Sequence, residues 1–269
     1  MLTVASSTLL DWASSQGARV SDSIEISSSA AGRRGLFAVQ DIPADTELVT
    51  LPSRLQLGVE QLAAGKDTEM QSLARDLLCA PALLEDVEMQ SLIRDLPCAL
   101  ALWAEMRRGS ASIFDPYLQE LPEGFSNAVA PCMGSGAGQE ALAVLAPAVA
   151  AKVVARRSAL EALHESLAPS SLILRDLCWA AAASLSRSLT RDEVRPLTPR
   201  QVGRIGEFSA ADRNRLLPVI DLANHGGEGA NADVRHLPDR GAPDEPPDAY
   251  AASLVSRRRI RAGEEVLLS

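Results

Sequence analysis

Leu217-Pro218-Val219-Ile220-Asp221-Leu222-Ala223-Asn224-His225 is a short apolar run that carries one acid of buried type, Asp221. It closes on Asn224 and His225, two side chains that can each offer a donor and an acceptor. That combination suits a segment gripping something polar. On its own, Asn-His ahead of Gly226-Gly227 is more often a plain turn, since Asn and Gly are ordinary turn residues. Its weight comes from two further stretches, Gly32-Arg33-Arg34-Gly35-Leu36-Phe37-Ala38 near the start and Ala262-Gly263-Glu264-Glu265-Val266 near the end.

Outward from these stretches the chain has a period of two at both ends. Ser23-Ile24-Glu25-Ile26-Ser27 alternates as a half-buried strand does, and Gly35 to Val39 and Glu47 to Leu51 read as the next two strands. Before them, Leu9, Leu10, Trp12 and Ala13 predict a short helix that stops at Gly17. The segment Ile42-Pro43-Ala44-Asp45-Thr46-Glu47-Leu48 has the shape of Ile260-Arg261-Ala262-Gly263-Glu264-Glu265-Val266, which predicts two like hairpins in one sheet-rich unit. Residues 226–248, rich in Gly, Pro and Asp, read as an exposed loop, and Ala251 to Val255 opens the last strands.

Between the two ends the period becomes 3.6. Leu96, Leu100, Trp103 and Met106 recur at helical spacing, as do Leu142, Leu145, Val149, Val153, Leu160 and Leu163, and Leu174, Leu177, Ala181 and Leu185. Pro147 starts or kinks one of these helices, because it has no backbone donor. One repeat stands out: Asp67 to Ala80 recurs nineteen positions later as Asp86 to Ala99. Two copies are too few for a solenoid, so a local duplication at the surface, or an error in how the gene was read into this sequence, is the reading. Pro81 breaks the chain between the copies.

The 269 residues are 46% apolar and 23% charged, an ordinary soluble composition. Aromatics make up only 3%, so Leu, Val and Ala fill the core and the Ala-rich stretches predict closely packed helices. A net charge of -9 is the opposite of a nucleic-acid binder's footprint, and no apolar run is long enough to span a membrane. Cys79, Cys98, Cys132 and Cys178 lie far apart and form no zinc-binding cluster, so they read as reduced and mostly buried. The N-terminus lacks the marks of a secretory signal. The expected address is cytoplasmic or nuclear, with the chloroplast left open.

In their order and separation, the three stretches resemble the SET-domain methyltransferases, in particular the branch of the Rubisco large-subunit lysine methyltransferases and the actin histidine methyltransferase. Asp115-Pro116-Tyr117-Leu118 with Leu121-Pro122, and Ser186-Arg187 at the end of an Ala-rich helix, resemble further features of that branch. The resemblance implies an α+β SET fold of short antiparallel β-sheets with a large α-helical insertion. Its halves would be residues 1–56 and 205–269, with the insertion at 57–204. It implies S-adenosyl-L-methionine as cofactor, held by Gly32, Arg33 and Arg34 through main-chain groups and by Asn224 and His225, with Asp221 just upstream. Arg187 would meet the cofactor's carboxylate as a charge-assisted fork. Alone, each piece has a plainer meaning: a turn for the glycines, a helix-end cation for Arg187, a hydrogen-bonded core histidine for His225. His164 and His236 read as helix surface and loop.

The same family carries a tyrosine after its Gly-Glu-Glu hairpin that orients or deprotonates the target nitrogen. Here the sequence stops at Ser269, where that tyrosine would come next, and Tyr117 and Tyr250 lie elsewhere. No catalytic residue is therefore assigned, and the chain as written is expected to be a truncated form with little or no transfer activity. Leu189, after Ser186-Arg187-Ser188, leans to a lysine target, and the lack of zinc clusters points to a non-histone protein substrate. The expected function is protein-lysine N-methylation; the alternatives are a protein-histidine N-methyltransferase, a non-catalytic SET-like protein-binding module, or an unrelated α+β structural protein. Nucleic acid and membrane are not expected partners, and the sequence leaves the oligomeric state open.

Overall fold

The computed structural model describes residues 6–58, 87–123, 146–167, 174–190, 214–238 and 250–269. The chain divides into two compact units, Met1–Gln56 with Leu217–Ser269, and Leu57–Leu216.

The first unit is built on strands. Helix α1 (Ser6–Ser15) lies against β1 (Arg19–Val20) and β2 (Ile24–Ser28), burying Leu9 and Ala13 completely. It ends as the sequence predicts, at a glycine. Gly17 has φ +85, its N–H donates to the Ser14 carbonyl, and the Ala18 N–H reaches back to Ala13 at 2.9 Å. That pair of bonds satisfies carbonyls the helix would leave open. Strands β3 (Arg34–Ala38), β4 (Glu47–Leu51), β8 (Ala232–Pro238), β9 (Tyr250–Ser256) and β10 (Glu265–Leu268) complete the sheet in the order β1-β4-β9-β8-β10-β3-β2. A short β7 (Asn224–His225) pairs with β10 off that path.

The two like hairpins meet. Ile42 and Ile260 exchange both backbone hydrogen bonds, at 2.8 and 2.9 Å, and both are buried. The turns match in detail, with positive φ at Asp45 (58°) and Gly263 (79°), the same position in each segment. Asp41 spans the pair: it accepts the Ala262 N–H at 2.9 Å and an Arg259 guanidinium N–H. The backbone N–H first, then Arg259, holds its carboxyl below the usual range.

Two features depart from the sequence reading. Residues 226–248 were expected to be an exposed loop, yet Ala232–Pro238 is a strand, antiparallel to β9 from Ala232↔Ser256 to Pro238↔Tyr250. His236 therefore sits on a strand, opposite Ala252. The flanking Gly, Pro and Asp masked an alternating Ala232-Asp233-Val234-Arg235, and pairing with β9 decides its conformation. The sheets are also not wholly antiparallel. β10 runs parallel to β7 (Leu267↔Asn224, Leu268↔His225) and to β8 (Leu268↔Ala232).

The second unit is helical. Helix α2 (Val87–Arg108) packs on α4 (Pro147–Leu167) and α5 (Leu174–Arg187). The small buried residues Ala99, Ala101, Ala180, Ala181, Ala182 and Ala183 let α2 and α5 approach closely, as the Ala-rich stretches predict. Pro147 is the first residue of α4, where its missing donor costs nothing. Leu96, Leu100, Trp103, Val153, Leu160, Leu177 and Ala181 are buried; Val149 is exposed, and Leu142 and Leu145 lie outside the described residues.

The α3 turn (Asp115–Leu118) follows α2, with Phe114 and Tyr117 buried and Trp179 Nε1 donating to the Pro122 carbonyl at 3.1 Å. Glu105 is buried and accepts bonds from Ser112 Oγ and Arg108 Nη1, both at 2.6 Å, tying the end of α2 to that turn. A two-stranded ladder, β5 (Leu189–Thr190) with β6 (Asn214–Arg215), completes the unit.

The first copy of the repeat, with Pro81, lies outside the described residues; the second runs into α2, with Pro97 inside that helix. Cys98 and Cys178 are buried and in no disulfide, and burial raises the Cys178 thiol to about 11; Cys79 and Cys132 fall outside the described residues. Among the described residues no helix is long and apolar enough to cross a membrane.

Candidate functional site

The site stretch opens on strained backbone. Val219 is buried at φ 73, ψ −52, a conformation a β-branched residue adopts only at a cost of about 1–3 kcal/mol. It leads into a single 3-10 turn, Ile220–Leu222, which carries the buried Asp221 and lies against β3. The chain then extends into β7, held parallel to β10. The glycine after it allows this: a Cβ on Gly226 would lie 2.7 Å from Leu267 Cβ and 3.0 Å from the Ala230 nitrogen.

Asn224 is the junction of three strands. Its Nδ2 donates to the Arg34 carbonyl on β3 at 3.0 Å and to Glu265 Oε1 on β10 at 2.6 Å. The second is a charge-assisted bond. Gly35 makes room for it, because a Cβ there would stand 2.7 Å from Glu265 Oε1 and 2.9 Å from Asn224 Nδ2. His225, next on β7, is exposed, not the core histidine that residue type alone suggests.

Gly32 and Arg33 form the exposed tip of the β2–β3 hairpin. Gly32 has φ +76 with open space around it, and the turn closes through Gly32 N–H to the Ser29 carbonyl (2.8 Å) and Ser29 N–H to the Arg33 carbonyl (2.7 Å). Of the residues the sequence singles out, Arg34 and Asn224 touch directly; Asp221 and His225 flank Asn224 in the chain; Gly32 and Arg33 lead into β3. Arg187 ends α5 in the other unit.

Two residues that sequence reasoning did not select hold this junction. Glu265 was visible only as part of a Gly-Glu-Glu hairpin. Asn231 was passed over as a loop residue, yet it is fully buried and makes a double contact with β10: the Leu267 N–H donates to its Oδ1 and its Nδ2 donates to the Glu265 carbonyl, both at 2.8 Å. Its own backbone also bonds the Leu267 carbonyl (2.9 Å) and the Arg257 N–H (2.8 Å). No sequence signal separates it from the turn residues around it. Glu264 bonds Arg258 Nη2 at 2.7 Å, and that contact chiefly lowers its carboxyl pKa.

The arrangement offers one oriented amide, nearby carboxylates and an open glycine turn. Among the described residues no group of three metal-ligating side chains gathers.

Neither a family model nor a curated protein sequence matches the chain. Its fold does match solved structures. A SET domain of LSMT bound to lysine and AdoHcy superposes at TM-score 0.57 with 20% identity, over 98% of this chain and 53% of that one. The same domain bound to methyllysine and AdoHcy gives 0.65 and 19%, over 100% and 54%. Rubisco LSMT bound to AdoMet gives 0.62 and 18%, over 100% and 53%. The chain therefore has the α+β fold of a SET domain, and spans about half the length of the solved structures it matches.

Proposed function

We propose that this chain binds S-adenosyl-L-methionine and belongs to a protein N-methyltransferase whose target is a lysine of a non-histone protein. The observation that carries the reading is the Asn224 amide, pinned between the Arg34 carbonyl and Glu265 beside the side-chain-free Gly35. An amide oxygen, carboxylates and main-chain carbonyls are the acceptors that a ligand with a sulfonium and an ammonium requires. Solved proteins of this fold carry AdoMet or AdoHcy, with lysine or methyllysine in some, which supports both cofactor and target.

Bound S-adenosyl-L-methionine supplies an activated methyl group. The protein's share is orientation. Gly32, Arg33 and Arg34 would hold the cofactor through the main chain, and Asn224 through its amide, with His225 and Asp221 on either side. Arg187 is proposed from the sequence resemblance alone as the cation for the cofactor's carboxylate. Holding donor and acceptor in line can contribute about 7–11 kcal/mol. A lysine amine, with an ordinary pKa of about 10.4, must also shed its proton before it attacks.

Calorimetric titration with S-adenosyl-L-methionine tests this. Micromolar binding that weakens about tenfold or more in Asn224→Ala is the expected result, tenfold being about 1.4 kcal/mol. An absence of binding heat would overturn it.

A further inference from the structure

The orientation of the Asn224 amide is chemically forced. Nδ2 uses both of its protons, one on the Arg34 carbonyl at 3.0 Å and one on Glu265 Oε1 at 2.6 Å. Neither acceptor has a proton to give, so the reversed amide would set its oxygen against two oxygens. Oδ1 accepts no hydrogen bond among the described residues. It is left as an acceptor with a fixed direction.

Glu265 is itself held from several sides. Its backbone pairs with Phe37 on β3, its carbonyl takes the Asn231 amide at 2.8 Å, and its side chain passes over Gly35, where any Cβ would collide. A carboxylate placed this way has one evident task, and it lies on a neighbouring amide.

We propose that Glu265 is a positioning residue: by taking one Nδ2 proton it keeps Asn224 Oδ1 turned outward, as the acceptor for an N–H donor on a cationic ligand. Glu265 acts through Asn224 and need not touch the ligand. The inference rests on the cofactor reading above for the ligand's identity, but not for the lock on the amide.

The test combines side-chain amide NMR with calorimetry on the whole chain. The Asn224 amide protons are identified by their loss in Asn224→Ala. In Glu265→Ala they should shift and exchange faster with solvent, and S-adenosyl-L-methionine affinity should fall about tenfold. Glu265→Gln keeps an acceptor oxygen, so it should hold the resonances near their native positions and the affinity within about threefold. Gly35→Ala, which wedges the pair apart while leaving both side chains in place, should mimic Glu265→Ala in both readouts.

Equal weakening by the Gln and Ala variants would mean that charge, not orientation, matters, and would overturn the proposal. So would an unmoved Asn224 resonance in Glu265→Ala. If the native chain binds no S-adenosyl-L-methionine, the cofactor reading fails, while the amide resonances still decide the role of Glu265. Thermal melts identify any variant that has lost its fold; Glu265→Gln and Gly35→Ala then carry the decision.

Discussion

The segments Ile42 to Leu48 and Ile260 to Val266 join through the Ile42–Ile260 bridge and turn at the same place, with φ 58 at Asp45 and 79 at Gly263. Each sends a glutamate into a following strand, Glu47 into β4 and Glu265 into β10. Their surroundings differ. Glu47 is exposed and meets Arg19 across the sheet edge at 3.0 Å, where an ion pair contributes little. Glu265 meets the amide of Asn224 and fixes which way it faces. Local sequence shaped two like turns; the strand beside each turn decided whether its glutamate became surface charge or the partner of a side-chain amide.

The strongest way to break the comparison is to remove the amide that holds the second hairpin. Asn231 grips β10 through both ends of its amide, so Asn231→Ala should cost about 3 kcal/mol in denaturant titration, leaving the Leu267 N–H and Glu265 carbonyl without their partner. A loss below about 1 kcal/mol would mean that water replaces the amide. Next comes the pair of glutamates: Glu265→Ala should weaken S-adenosyl-L-methionine about tenfold and Glu47→Ala should leave it unchanged, measured side by side by calorimetry. Equal effects would erase the distinction.

The turns themselves sharpen it. Gly263→Ala forces a Cβ into left-handed backbone, though into open space, and should destabilise by about 1 kcal/mol. Asp45→Gly should stay within about 0.5 kcal/mol, because aspartate already tolerates that conformation. A smaller effect is pH-dependent. Glu264 titrates below its ordinary 4.5 in the folded state, chiefly through Arg258. Its contribution is therefore complete above 4.5 and lost as pH falls from there through the lowered folded value. Glu264→Gln should lower the melting temperature at pH 7, with the gap closing in acid. Smallest of all, Arg19→Ala should change stability by less than about 0.5 kcal/mol.

Much of the strand-built unit was legible. The two like turns, the Gly17 helix end and the alternation in β2 are decided within a few residues, where sequence and conformation are coupled directly. The helical period placed α2, α4 and α5 for the same reason. Strand β8 was not legible, because Ala232 to Pro238 becomes a strand only by pairing with Tyr250 to Ser256. The strain at Val219 was invisible too, since nothing in a valine predicts left-handed backbone.

For the candidate site, the sequence by itself determined which residue types stand where: a glycine turn ahead of β3, an Asn-His pair after an apolar run, a Gly-Glu-Glu hairpin near the end. It could not say that the third stretch supplies the partner of the second. Tertiary structure alone decided that Glu265 faces Asn224 over Gly35, and that Asn231, unremarked in its loop, anchors β10. Hydrogen-bond geometry between strands distant in sequence depends on register, and register is set by the packing of the whole sheet.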